Sequence, residues 1–310
     1  MRLAILFPGQ GSQSVGMLSG FAGNKTVSAV MEQASAALGE DLVKLAQEGP
    51  SEQLNLTVNT QPVLLAASYA FYEAFREAGG PEPALMAGHS LGEYSALTAA
   101  GALSLEEAVP LVRFRARVMQ EAVPVGKGGM AAILGLKDEQ VKEACAKAAA
   151  VGAVEPVNYN CPGQVVIAGL KAAVARACEI CREMGAKRAV ELAVSAPFHS
   201  SLLAPARDAL ADELARTRVR ACEVPVYANV NAKLHEGPGE IREALARQAC
   251  SPVQWVGIMR AMQEAGVTHF VECGPGRVLA GLAKRCAPSI PCYSVNSAES
   301  LAATLEALAA

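Results

Sequence analysis

Aromatic side chains are scarce, at 5% of 310 residues with a single Trp. That leaves too few rings for the stacking platforms on which single-stranded nucleic acids bind. Excess charge of either sign is missing as well: 27 Lys and Arg stand against 30 Asp and Glu, a net −3. Without a basic footprint for a phosphate backbone, no nucleic-acid partner is expected. No apolar run approaches the roughly 18 residues that a membrane helix needs, although 52% of the chain is hydrophobic. The apolar opening of residues 1–7 is stopped by Pro8-Gly9-Gln10-Gly11, too soon for a secretory h-region, and no small-residue cleavage site follows. The opening therefore reads as a buried strand, in a chain expected to be cytoplasmic and to have no membrane partner.

Other signatures are absent in an informative way. Nine Cys without an export signal read as reduced thiols acting as small hydrophobes. Cys178 and Cys181 form a C-x-x-C, but it lies in a helical segment with no second pair and no His pair, so no metal is expected. The turn Pro8-Gly9-Gln10-Gly11-Ser12-Gln13 fails the dinucleotide fingerprint, because Ser14 stands where the third Gly belongs. Gly126 to Gly129 lack Walker A spacing. No resident cofactor is expected.

What is present is the pattern of an α/β protein, with strand-like and helix-like segments in alternation. The length leaves room for about two domains. Residues 2–7 and 84–87 read as strands, and residues 27–38, 60–78, 90–100 and 105–120 as helices, the last with Pro110 as a candidate kink. A linker-like stretch of Pro and Gly follows from Pro124 to Gly129. Beyond it come strand 130–136, helix 139–149, strands 155–160 and 164–168, helix 172–184 and strand 188–192. That βαββαβ order is ferredoxin-like. Residues 125–196 are therefore expected to form a small subdomain inserted into a large one made of 1–124 and 197–310. The large one resumes with helix 202–215, strand 224–228, helices 241–248 and 255–264, strand 269–272 and helix 278–285.

The sharpest chemical signal is Gly88-His89-Ser90-Leu91-Gly92, a G-x-S-x-G between a short apolar strand and a helix of small residues. That is the context of a nucleophile elbow. The glycines permit a tight turn, and the serine hydroxyl projects at a helix N-terminus, where free N–H groups favour developing negative charge. The Leu91 N–H is the natural first oxyanion donor. The turn after the first strand is a candidate for the second.

A serine nucleophile needs a base, and four His are present. The elbow turns the His89 side chain away from Ser90. His235, in the polar stretch Lys233-Leu234-His235-Glu236, reads as solvated, and His269 as a structural strand residue. His199 lies where the inserted subdomain returns to the large one, and clefts between subdomains are where sites form. It is the best candidate base. No acid between Ser90 and His199 makes a convincing third member. Either a backbone carbonyl orients the imidazole or a triad is the wrong description. Arg113, Arg115 and Arg117 recur at i, i+2 and i+4, so Arg115 points away from the other two. A solvated charged face is the ordinary reading; the sharper one turns Arg115 inward as a lone cation for an anionic substrate.

Taken together, the motifs resemble the malonyl-CoA:acyl-carrier-protein transacylase family of fatty acid synthesis, over essentially the whole chain. The resemblance rests on ordered blocks. They are Phe7-Pro8-Gly9-Gln10-Gly11-Ser12-Gln13, Gly88-His89-Ser90-Leu91-Gly92-Glu93-Tyr94, and Arg115 followed by Met119-Gln120-Glu121-Ala122-Val123-Pro124. Asn158-Tyr159-Asn160-Cys161-Pro162-Gly163-Gln164, Ala196-Pro197-Phe198-His199-Ser200, Gln248 with Pro252-Val253-Gln254-Trp255, and Glu272-Cys273-Gly274-Pro275-Gly276 complete them. Cys161 departs from the pattern, since many relatives carry Ser there.

The resemblance implies an α/β-hydrolase-like core with a parallel sheet and a ferredoxin-like insertion. It implies Ser90 as the acylated nucleophile and His199 as its base, with the Gln248 carbonyl orienting the imidazole. Backbone N–H groups of Gln10 and Leu91 would form the oxyanion hole. Arg115 would bind the malonyl carboxylate, with Phe198 and Asn160 also contacting substrate and Phe198 limiting room at the α-carbon. The donor would be the coenzyme A thioester malonyl-CoA and the acceptor an acyl carrier protein. Such carriers are acidic, so Lys187, Arg188, Arg277, Lys284 and Arg285 are candidates for a basic docking patch on an expected monomer. Two other enzymes fit the same elbow: a malonyl or methylmalonyl transferase supplying polyketide synthesis, and a serine thioesterase. A non-catalytic carrier-binding scaffold is a third alternative, against which the Ser, His and Arg set argues.

Overall fold

The computed structural model describes residues 1–194 and 196–309. Strand β1 (Leu3–Phe7) is apolar and buried along its whole length, as a central strand covered on both faces must be. It pairs in parallel with β2 (Leu85–Gly88) and β7 (His269–Cys273), and β7 pairs in parallel with β8 (Cys292–Val295). The sheet order is β2-β1-β7-β8. Because side chains alternate along a strand, Leu3, Ile5 and Phe7 enter one apolar cluster with the helix Thr57–Glu77, while Ala4 and Leu6 enter another with Trp255, Met259 and Leu279.

The second sheet is antiparallel and built from β3 (Gly128–Leu134), β4 (Val154–Cys161), β5 (Gln164–Leu170) and β6 (Arg188–Glu191). Its order, β4-β5-β3-β6, with β3 and β5 central and the helices Asp138–Ala148 and Lys171–Glu183 as crossovers, is the ferredoxin-like arrangement. Ala131, Ile133, Val165 and Ile167 face those helices, and Met130, Val166 and Ala168 face the large core. The α/β class and both sheets agree with the sequence reading. All the second sheet's strands fall inside the expected unit 125–196, whose closing boundary abuts Ser195, outside the described residues.

Some local expectations change. Residues 224–228 do not form a strand: Val226 bridges Met86 and Tyr227 bridges Leu234 as isolated pairs. Pro225 brings no N–H to a ladder, and the chain turns at once, with Ala232 N–H donating to Ala228 O. The helix Leu105–Glu121 runs through Pro110. The helices Leu42–Glu48, Ser51–Leu54 and Ala298–Ala309 and strand β8 were not foreseen. Cys178 and Cys181 lie buried in the helix Lys171–Glu183; burial pushes the Cys181 thiol up to about 11, so it is not a ready thiolate. No helix among the described residues is long and apolar enough to cross a membrane.

Candidate active site

The loops that leave the carboxyl ends of β1 and β2 meet, which is where open α/β sheets place their ligands. The two elbow glycines are required by contact. A Cβ on Gly88 would stand 1.8 Å from Gly92 O, and one on Gly92 would stand 2.0 Å from Phe7 O. The helix Leu91–Ala99 therefore packs backbone to backbone on the end of β1. Gly9 is similarly tight, since a Cβ there would lie 2.5 Å from His89 O. Between these glycines Ser90 sits at φ 53°, a left-handed conformation that a non-glycine residue holds only when its surroundings enforce it.

The enforcement comes from residues far away in sequence. Ser90 N–H donates to Asn229 Oδ1 at 2.7 Å, and Asn229 Nδ2 donates to Gly88 O at 2.7 Å. Ser90 O accepts from Gln248 Nε2 at 2.9 Å. Glu93, in the first turn of the elbow helix, accepts from Gln248 Nε2 at 2.7 Å and from Asn229 N–H at 3.1 Å. Sequence reasoning missed Asn229 and Glu93 as parts of the site.

The strained turn aims the Ser90 hydroxyl at His199, whose Nε2 is 2.7 Å away. His199 Nδ1 lies 2.8 Å from Gln248 O. A carbonyl can only accept, so Nδ1 carries the proton and Nε2 presents the lone pair that receives the serine proton. His199 is itself at φ 65° and buried. Burial first, and the nearby Arg115 charge second, pull its pKa down from 6.5 to about 3. The imidazole is thus neutral and able to act as a base at any ordinary pH.

That displacement has a sign. The unfolded chain takes up a proton at this position near pH 6.5 and the folded chain does not until about pH 3. Stability from this residue is therefore present above pH 6.5 and lost as pH falls, by about 2 kcal/mol at pH 5. We expect kcat/KM for malonyl-CoA to stay level through pH 6.5, and the unfolding free energy of His199→Gln to decline less with acid than that of the wild type. An acid limb centred at pH 6.5 in kcat/KM would contradict this assignment.

Arg115 turns inward from the helix Leu105–Glu121 and is 1% exposed. Its Nη1 donates to Gln61 Oε1 at 2.7 Å, and its Nη2 to Gln248 Oε1 at 2.7 Å and to Ser90 Oγ at 3.2 Å. The guanidinium carbon lies 5.2 Å from the centre of the Tyr94 ring. Each hydrogen-bond acceptor here is a neutral oxygen, so the buried charge keeps its affinity for an anion. Its helix neighbours face elsewhere: Arg113 pairs with Glu40 at 2.5 Å, and Arg117 lies over Phe114.

Ser90, His199 and Arg115 line one cavity, together with Gln10, Leu91 and Phe198. Met130, Asn158, Leu192 and Val194 wall it from the side of the second sheet. Asn160, expected to contact substrate, is instead one layer back. Its Oδ1 lies 2.8 Å from His89 Nε2, and Asn158 takes the place at the cavity wall. The two residues are separated by one position on β4, and the register shifts there displace which side chain reaches inward. His89 points away from Ser90 and rests beside Trp255.

His235 corrects the sequence reading outright. Its side chain is fully buried, between Glu93 and Glu240. The polar loop around it folds back onto the site. Of the five basic residues considered for docking, Lys187, Arg188 and Arg285 line one surface groove, with Lys137. Arg277 lines a different depression, and Lys284 lines neither of these two.

Residues 5–302 match the acyl transferase domain family, which defines the class of protein. The sequence is 51% identical to the malonyl CoA-acyl carrier protein transacylase of Escherichia coli, over 98% of this chain and 99% of that one. The fold matches the crystal structure of an acyl-carrier-protein S-malonyltransferase from Burkholderia pseudomallei with a TM-score of 0.97 and 55% identity, over 99% of this chain and all of that one. A malonyl-transacylase solved in complex with a type II PKS acyl-carrier protein matches at the same TM-score, 0.97, with 47% identity over 99% of this chain. The chain belongs to the malonyl CoA-acyl carrier protein transacylase family.

Proposed function

We propose that the cavity transfers a malonyl group from malonyl-CoA to the phosphopantetheine thiol of an acyl carrier protein by way of a malonyl ester on Ser90. Membership of the family makes the enzyme an acyl-carrier-protein S-malonyltransferase of fatty acid synthesis. The observation that carries the residue assignment is the meeting of the Ser90 hydroxyl, the His199 imidazole and the Arg115 guanidinium in one cavity.

The malonyl carboxylate docks on Arg115, whose planar fork suits it. The guanidinium stands 3.2 Å from the nucleophile, which fits an acyl group with one methylene between carboxylate and thioester. Ser90 Oγ attacks the thioester carbon while His199 Nε2 takes its proton. The carbonyl oxygen becomes an oxyanion facing the backbone N–H groups of Leu91 and Gln10, each worth about 2.7–4 kcal/mol in the transition state. The carbon–sulfur bond breaks, and coenzyme A leaves with the proton from His199. In the second half the carrier thiol gives its proton to His199, its sulfur attacks the ester, and Ser90 recovers its hydroxyl. Phe198 narrows the space at the α-carbon against a methyl branch.

On this reading the enzyme works in the cytoplasm as a monomer, and it needs no resident cofactor, because its own side chains and backbone carry every step. The groove of Lys137, Lys187, Arg188 and Arg285 is the favoured dock for an acidic carrier. The test is an initial-rate study with malonyl-CoA and phosphopantetheinylated carrier. Parallel double-reciprocal lines with malonyl carrier as product support the proposal. Free malonate as the main product would mean a thioesterase instead.

A further inference from the structure

One charged cluster, buried at His235 and Glu93, has no part in the chemistry above, yet it bonds Gln248 and Asn229, which hold the residues that do. His235 Nδ1 lies 2.8 Å from Glu240 Oε2, and its Nε2 lies 2.9 Å from Glu93 Oε1. A neutral imidazole has one N–H, so one of these contacts would set a lone pair against a carboxylate. The other Glu93 oxygen accepts from Gln248 Nε2 and Asn229 N–H, so the carboxyl group is met by hydrogen-bond donors on both sides. Glu240 sits in the first turn of the helix Pro238–Gln248, where helix N–H groups favour a negative charge. Both ring nitrogens therefore donate, and His235 is an imidazolium. Burial works against that charge, but the two carboxylates outweigh it and raise the pKa above 6.5.

The helix that carries Glu240 ends at Gln248. Gln248 is the hub of the site. Its backbone oxygen holds His199, its amide oxygen holds Arg115, and its amide nitrogen holds Ser90 O and Glu93. Glu93 and Ser90 O both accept from that nitrogen, and an amide whose nitrogen is fixed presents its oxygen in a fixed place.

We infer that His235 is a positioning residue of the transferase: its imidazolium holds the Glu93 carboxylate, and Glu93, through the Gln248 amide, aims Arg115 and His199 together. The inference rests on the assignment of Ser90, His199 and Arg115 proposed above. Without the cation, Glu93 is a buried charge lacking its counter-ion and turns toward any water it can reach. Gln248 then loses its anchor, and both carboxylate capture and proton transfer suffer.

The test compares His235→Gln with His235→Gln/Glu93→Gln in single-turnover malonyl loading of the full-length enzyme. Glutamine at 235 carries no charge, so it leaves Glu93 without its counter-ion. We expect His235→Gln to lower kcat/KM for malonyl-CoA by about ten- to a hundredfold, the size of a lost hydrogen bond to a buried charge. The double variant removes the carboxylate that needed neutralising but keeps an amide oxygen for Gln248 and Asn229, and most of the activity returns. A residue that merely fills space would show no such rescue. In the wild type, a proton–nitrogen correlation spectrum at neutral pH should show both His235 ring nitrogens protonated, a readout that survives if the single variant fails to fold. Full activity in His235→Gln, no recovery in the double variant, or a neutral His235 in the spectrum would each overturn the inference while the Ser90 assignment stands. Absence of malonyl on wild-type Ser90 would instead overturn the reading beneath it, and the inference with it.

Discussion

Ser90→Ala should reduce malonyl transfer by at least about 10⁴-fold, to the level left by binding and the oxyanion donors alone. The loss should be chemical and not structural. The strained elbow is held through Ser90 N–H and O, which Asn229 and Gln248 grip, and through glycine contacts on either side. None of these uses the hydroxyl. Thermal unfolding of the variant should therefore match the wild type within a few degrees while transfer, followed as malonyl carrier formed, disappears. Transfer that persists at a hundredth of the wild-type rate would mean that another group is acylated.

Arg115→Ala should separate malonyl from acetyl. Removing the guanidinium leaves the malonyl carboxylate buried without a partner, and breaking such a pair costs about 3–5 kcal/mol. A loss of about 10²- to 5 × 10³-fold in kcat/KM for malonyl-CoA is expected. Acetyl-CoA has no carboxylate to strand, and its much smaller loss reflects the missing contacts from Arg115 to Ser90 Oγ, Gln248 and Gln61. Arg115→Lys should stay well below the wild type. One ammonium cannot serve Gln61, Gln248 and a substrate carboxylate as the planar fork does. Equal losses for malonyl and acetyl would remove Arg115 from its role as carboxylate reader.

The parts of this molecule that the sequence disclosed are those with a local cause. Five apolar residues before Pro8-Gly9 become β1, and the glycines of G-x-S-x-G mark a turn that only close backbone contact explains. The βαββαβ order survives intact because hydrophobic period and turn residues repeat within each segment. From spacing alone His199 and Arg115 were legible only as candidates, one from its place at a junction and one from its odd spacing among arginines; the family resemblance supplied their roles. The grip on the elbow was not legible at all: Asn229, Glu93 and Gln248 meet Ser90 across gaps of well over a hundred residues or through a partner that does. His235 looked solvated because its neighbours Lys233 and Glu236 are polar, while its burial depends on carboxylates from two other elements. The half-exposed four-residue strand β8 lacks a clear alternation. The helix Ala298–Ala309, by contrast, is rich in Ala, Leu and Glu, and its propensity was there to be read.

The central claim is that Ser90 alone takes the acyl group and that Arg115 chooses which one. Intact-mass measurement of the wild-type enzyme after brief exposure to malonyl-CoA, methylmalonyl-CoA and acetyl-CoA in parallel, with peptide mapping of the adduct, tests both halves at once. The account predicts one malonyl group per chain, located on Ser90, with far less methylmalonyl or acetyl retained. An adduct on any other residue, or equal loading from all three thioesters, would contradict it.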